Sequence, residues 1–128
     1  MVLSLRNEMD SRARDALAVL AHVYLRFERP DEAAALLAAL VAIDPKPRWA
    51  RQALSLAQLR SGLTEAALST AESLLTEALD DDERVPLLLL AAKAHWRLGN
   101  EVEAQRLRIA ARAAATTSIV HPIGRLQA

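Results

Sequence analysis

The chain has 128 residues, 16 basic and 16 acidic side chains, no cysteine and only four aromatic residues. That length fits one domain able to bury its own core, and the even charge balance excludes the broad basic footprint of a dedicated nucleic-acid binder. The lack of cysteine excludes a disulfide framework and any thiolate metal site.

No apolar stretch approaches the roughly 20 residues of a bilayer span. The start, Met1-Val2-Leu3-Ser4-Leu5-Arg6-Asn7-Glu8, has no basic leader ahead of an apolar block. A soluble, cytoplasmic domain is expected.

Alanine and leucine account for 50 residues and valine plus isoleucine for 11. Strong helix formers dominate, so an all-α fold is predicted. The first helix is expected over about Asp10 to Phe27, with residues 1–9 an N-terminal extension that lengthens it where Leu5, Met9 and Ala13 share a face. A second helix follows over about Asp31 to Ala42, and Pro45 and Pro47 then break the chain. The remaining helices are expected over about Arg48 to Arg60, Thr64 to Leu79, Asp82 to Leu98 and Asn100 to Ala115. Residues 116–128 form a flexible tail in this reading. The alternative is a segment that folds back over the last helix through Ile119, Val120 and Ile123.

Three segments repeat one another: Arg26-Phe27-Glu28-Arg29-Pro30-Asp31-Glu32-Ala33, Arg60-Ser61-Gly62-Leu63-Thr64-Glu65-Ala66-Ala67, and Arg97-Leu98-Gly99-Asn100-Glu101-Val102-Glu103-Ala104. Each opens with an arginine at the end of an apolar helix, turns, and enters a second helix at a small alanine. The spacing is 34 residues from Ala33 to Ala67 and 37 from Ala67 to Ala104. Such a period marks a helix-turn-helix array. The domain is placed at 10–115, with units at about 14–47, 48–81 and 85–118.

This unit resembles the tetratricopeptide repeat (TPR), through Tyr24, Ala33 and Asp44-Pro45 in the first unit and Gly62, Ala67, Gly99 and Ala104 in the next two. The resemblance covers residues 14 to 118 and implies three helix pairs in a short right-handed superhelical solenoid. The sequence departs from the pattern at Glu28, where a turn glycine belongs, and at Arg51, Ser55 and Gln58. His95 stands in a tyrosine position of the third unit.

No phosphate loop, zinc-protease motif, nucleophile elbow or reactive cysteine is present, so neither an enzyme nor a cofactor is expected. His22, His95 and His121 lack an i, i+4 partner for a metal site. The run Asp80-Asp81-Asp82-Glu83 lacks the alternating ligands and glycine of a calcium loop. It fits a helix N-terminus, with Pro86 in the first turn.

The TPR resemblance implies a concave face lined by the first helix of each pair. Mapped residue by residue, it takes Ala18, His22, Leu25 and Arg26 from unit one. Unit two gives Trp49, Gln52, Leu56, Leu59 and Arg60, and unit three gives Leu89, Lys93, Trp96 and Arg97. Leu25, Leu56, Leu59, Leu89 and Trp96 form an apolar stripe edged by cations, which suits an apolar segment with acidic flanks. Ala18 and His22 occupy positions that hold polar clamp residues in TPR proteins binding a partner's C-terminal carboxylate, so that use is disfavoured. The last helix, with Leu107, Ile109, Ala110, Ala111, Ala113 and Ala114, has no clear capping helix after it and needs cover from the tail, a partner or a second copy.

A TPR domain of this size with an apolar groove is similar to the small cytoplasmic chaperones of bacterial type III secretion systems. Tyr24-Leu25-Arg26, the run from Glu32 to Leu40, Ile43-Asp44-Pro45, the segment Gly62 to Leu75, and Leu98-Gly99-Asn100 to Ala104 most resemble the SctY (YscY) type. That resemblance implies a heterodimer holding the C-terminal helical region of a small secreted component, of the SctX (YscX) type, and delivering it to the export gate. Needle subunits are handled by chaperones of the same fold. The alternative is a TPR adaptor that homodimerises through its last helix.

Overall fold

A computed structural model describes the backbone of residues 2–127 and the side chains of residues 8 and 10–117. The described residues form six helices and no strand: α1 (Val2–Arg26), α2 (Pro30–Ile43), α3 (Arg48–Arg60), α4 (Thr64–Leu75), α5 (Asp81–Arg97) and α6 (Glu101–Gln127). Each helix packs on the next, and the first-of-pair helices α3 and α5 also touch. The all-α array of three helix pairs expected from the repeat is the observed fold.

The repeat is visible in the turns as hydrogen bonds. The amides of Arg29, Leu63 and Asn100 donate to the carbonyls of Tyr24, Gln58 and His95, at 2.7, 2.8 and 2.8 Å. The amides of Glu28, Gly62 and Gly99 donate to Leu25, Leu59 and Trp96 at 3.3, 3.2 and 3.1 Å. This double closure of a helix end needs a left-handed residue, supplied by Gly62 (φ 86°), Gly99 (φ 84°) and, in the first turn, Glu28 (φ 59°). A Cβ at either glycine would meet nothing within 4 Å, so backbone conformation alone selects glycine there. The amides of Ala33, Ala67 and Ala104 then start each second helix, and all three alanines have no exposed surface.

The core runs through these interfaces as two main clusters. One joins Ala21, Ala33, Leu37, Leu40, Leu54 and Ala57; the other joins Ala71, Leu74, Leu87, Leu88, Ala91 and Leu107. Leu37, Leu74 and Leu87 are the largest fully enclosed apolar side chains. Each contributes about 1.5–3 kcal/mol of burial.

The departures from the TPR pattern in unit two are met by polar bonds. Ser55, fully buried, donates from Oγ to the Ala67 carbonyl at 2.8 Å. Thr70 Oγ1 donates to Gln58 Oε1 at 2.9 Å. Arg51 forks onto Glu77, with its Nη2 at 3.2 Å from Oε1, and also reaches the Lys46 carbonyl at 3.3 Å. Arg48 pairs with Glu83 at 3.3 Å and donates to the Ala78 carbonyl at 3.2 Å. The first turn of α3 therefore ties down the α4–α5 connection.

That tie explains a boundary. The fourth helix was expected to reach Leu79, but α4 ends at Leu75. Thr76 Oγ1 turns back to the Ser73 carbonyl at 2.6 Å, and Glu77 leaves the helix to meet Arg51. The acidic run caps α5 as expected, with the Asp80 carboxylate accepting the Glu83 amide at 2.9 Å. Because α5 begins at Asp81, Pro86 lies inside the helix and not in its first turn.

At the two ends the expected boundaries are not breaks in helix. Residues 2–9 are continuous with α1, and α6 runs through to Gln127, past the tail boundary placed at 116. The side chains of Leu5, Met9, Ile119, Val120, His121 and Ile123, on which the extension, the third histidine and the fold-back were read, lie outside the described residues. Of the apolar residues on the last helix, Leu107 and Ala111 are buried and Ala110 and Ala114 pack inward, while Ile109 is exposed.

Two expectations follow. Glu28 holds the turn's left-handed conformation despite carrying a Cβ, so Glu28→Gly should stabilise the protein by about 0.5–1 kcal/mol, with the melting temperature rising by roughly 4 °C. A lower melting temperature would mean that the Glu28 side chain contributes more than its backbone costs. The hydrogen bond from Arg51 holds the Glu77 carboxyl below its ordinary value of 4.5; partial desolvation opposes this, and the Arg51 and Arg48 charges add to it. A depressed carboxyl stabilises the fold above its unfolded value and loses that contribution as pH falls through the folded value. Glu77→Gln should therefore lower the denaturation midpoint at pH 7, and its gap to the wild type should close as pH falls below 4.5.

Candidate partner-binding groove

The contact between α3 and α5 sets two first-of-pair helices side by side, and a cavity of about 620 Å³ opens along their shared face. Its start is flanked by Trp49 and Pro86, its middle by Gln52, Ala53, Leu56, Leu89 and Leu90, and its far end by Leu59, Arg60, Lys93 and Arg97; Leu87 completes the lining. The size falls in the range of ligand-binding clefts. Leu56 is half-buried and Leu89 is 50% exposed, so both present apolar surface to an occupant.

Eight residues read from the sequence line this cavity: Trp49, Gln52, Leu56, Leu59, Arg60, Leu89, Lys93 and Arg97. Their roles differ from the expected stripe. Leu59 is only 4% exposed and packs with Ala67 and Ala94, so it forms the floor and not an accessible contact. Arg97 reaches across from α5, donating from Nη1 to the Leu59 carbonyl at 2.8 Å, and joins the C-terminal ends of α3 and α5. Trp49 is exposed at the rim, where a smaller recess of about 190 Å³ begins beside Arg14 and Asp44.

The residues of the first unit stand elsewhere. Leu25 and Arg26 line a neighbouring recess with Glu28 and Pro30, and this recess shares Arg60 with the main cavity. Leu25 and Ala18 are half-buried against the α1–α2 core, and His22 is exposed. Neither Ala18 nor His22 lines the main cavity.

Trp96 corrects the expected stripe at its other end. It is 52% exposed, lines no part of the cavity, and lies under the Arg108 guanidinium of α6 at 5.5 Å from the ring centroid. The physical reason is the neighbour each repeat position meets: its equivalent in unit two, Leu59, packs with Ala67 and Ala94, whereas Trp96 takes a cation–π contact from Arg108 of α6.

Ala53, Pro86, Leu87 and Leu90 also line the cavity and were not read from the sequence. Pro86 had a signal, since it lies 37 residues after Trp49 and occupies the same repeat position. Ala53 and Leu90 each follow a mapped residue directly and widen its face. Their small or aliphatic side chains carry no distinguishing pattern.

Charge in the groove has one sign. Arg60, Lys93 and Arg97 line it and no carboxylate does. The histidine in the tyrosine position, His95, lies on another face. Its ring meets Asn100 Nδ2 at 3.2 Å and Glu72 at 3.8 Å. Among the described residues no cluster of three metal-ligating side chains occurs, and no helix is long and apolar enough to cross a membrane.

No protein-family model matches the chain, and no curated protein matches it. A solved structure does: that of PcrH in complex with the chaperone-binding region of PopB is similar at a TM-score of 0.70, with 22% identity, over 83% of this chain and 83% of that one. At that identity the likeness is one of fold. The chain has the all-α, TPR-like helical architecture seen in PcrH.

Proposed function

We propose that this protein is a cytoplasmic chaperone of a bacterial type III secretion system, which holds an apolar helical segment of a small secreted component in the groove between α3 and α5. The observation that carries this is the open, largely apolar cavity of about 620 Å³ with cations at one end and no carboxylate in its lining. Its support is twofold. The motifs from Tyr24 to Pro45 and from Gly62 to Leu75 resemble the SctY type. The fold is also that of PcrH, a protein solved in complex with a partner's chaperone-binding region.

The mechanism in this reading is burial and release. An amphipathic segment would cover Leu56, Leu89 and Pro86 with its own apolar side chains. Each large side chain buried contributes about 1.5–3 kcal/mol before the costs of association. The segment is shielded from aggregation and then handed to the export gate, with no covalent step and no nucleotide. An SctX-like protein is the first candidate for the partner and a needle subunit the second.

A homodimeric adaptor is the competing reading. It was founded on the apolar last helix, but Leu107, Ala110, Ala111 and Ala114 turn inward against α5. Val102 and Ile109 are the large aliphatic side chains of α6 that are exposed among the described residues, and Ala113 is exposed as well.

The test is a tagged pull-down from host lysate with mass spectrometry, followed by light scattering and titration calorimetry with the captured partner. A single small protein at equal stoichiometry is expected. Leu56→Glu should abolish its binding with helicity unchanged, whereas Trp96→Glu, away from the cavity, should retain it. Equal affinity for the wild type and Leu56→Glu would overturn the groove as the binding site. Self-association alone would favour the adaptor.

A further inference from the structure

The three arginines that open the repeated turns, Arg26, Arg60 and Arg97, occupy one repeat position and close the last turns of α1, α3 and α5. Two of them stand at the same end of the main cavity, and Lys93 lies one helical turn before Arg97 on the same helix. The chain has as many acids as bases, yet the ion pairs of the described residues engage other cations, among them Arg14, Arg48 and Arg51. None involves Arg60, Lys93 or Arg97. Arg97 has a structural partner, the Leu59 carbonyl, but no carboxylate.

The groove is therefore polarised. Its start, between Trp49 and Pro86, is apolar, and its far end carries three positive charges that form no ion pair among the described residues. Helix rise places Trp49 and Arg60 about 16 Å apart along α3. That length matches roughly five residues of extended chain or three turns of helix.

We infer that the groove selects a protein segment whose apolar side chains are followed at one end by a cluster of carboxylates, and that it seats this segment in one direction only, with the carboxylates against Arg60 and Lys93 and the apolar end between Trp49 and Pro86. This inference rests on the groove being the binding site and adds its charge specificity and polarity. The physical basis is that a guanidinium takes a carboxylate in paired, directional hydrogen bonds. Matched charge gives orientation and discrimination where apolar contact gives neither. A basic segment of equal hydrophobicity meets three like charges and is refused.

The test is selection of random 12-residue peptides displayed on phage, using the full chain as wild type, as the double variant Arg60→Glu/Lys93→Glu, and as Leu56→Glu. Both reversed residues have no ion-pair partner to lose, and circular dichroism verifies that each variant keeps its helicity. The wild type should enrich apolar peptides with Asp or Glu at one end. The double variant should bind these roughly tenfold more weakly and enrich Lys- or Arg-ended peptides instead. Independently of any variant, affinity of an enriched acidic peptide for the wild type should fall as sodium chloride is raised.

Enriched peptides without acidic bias, or equal binding to wild type and double variant with no salt dependence, would overturn the inference and leave the groove as the site. Peptides that bind Leu56→Glu as well as the wild type would remove the groove itself. A wild-type homodimer that Leu56→Glu dissociates would put a second copy in the groove and overturn the inference as well.

Discussion

Ala33, Ala67 and Ala104 have no surface left to solvent, and at each of them the second helix of a pair presents only a methyl side chain to its surroundings. The small side chain sets how each pair can cross, and the left-handed residue five positions earlier fixes its direction of return. Given both, α3 and α5 must lie beside one another on one face, and the groove is the space their upper surfaces leave. A larger residue at any of the three alanines would splay its pair and dissolve the groove without touching a groove residue.

The middle unit shows how much sequence variation this geometry tolerates. At Arg51, Ser55 and Gln58 a TPR would have a large apolar residue, a small one and a tyrosine. Here the Ser55 hydroxyl is satisfied by the Ala67 carbonyl, Gln58 by Thr70 and Arg51 by Glu77. Each polar group that burial would penalise has found a partner from the opposing helix or the loop after it, with the Arg51 Nε the exception. In unit two these hydrogen bonds add to the apolar packing of Leu54, Ala57, Ala71 and Leu74 and accommodate polar residues at positions the pattern gives to others.

This division explains what could be read in advance. Element type, the turns and the close-packed alanines were legible because each rests on a local rule: helix propensity, a positive φ, a small side chain at a fixed period. The end of α4 was not, because it depends on Arg51 pulling Glu77 out of the helix across 26 residues of chain. Among groove residues, Leu56 and Leu89 were found because the TPR resemblance maps both to the concave face. Leu59 and Trp96 share that mapping but not that environment. One is drawn into the floor by Ala67 and Ala94, and the other meets the Arg108 guanidinium of α6.

An apolar groove open to solvent invites aggregation, and its cations bear on this directly. Arg60, Lys93 and Arg97 close one end of the groove beyond Leu56 and Leu89 and limit the length of its apolar surface. Two such grooves brought face to face would set like charges against one another, so self-association through this face is opposed. A segment with carboxylates at one end meets no such penalty. The same three side chains therefore disfavour the wrong occupant and favour the right one. Because they remain at the solvent edge, their attraction is screened by salt and moderate in strength. A groove open along its length, with charge at its edge and apolar contact at its centre, gives binding that a competing surface can reverse without an energy source, which is what delivery to a second protein demands.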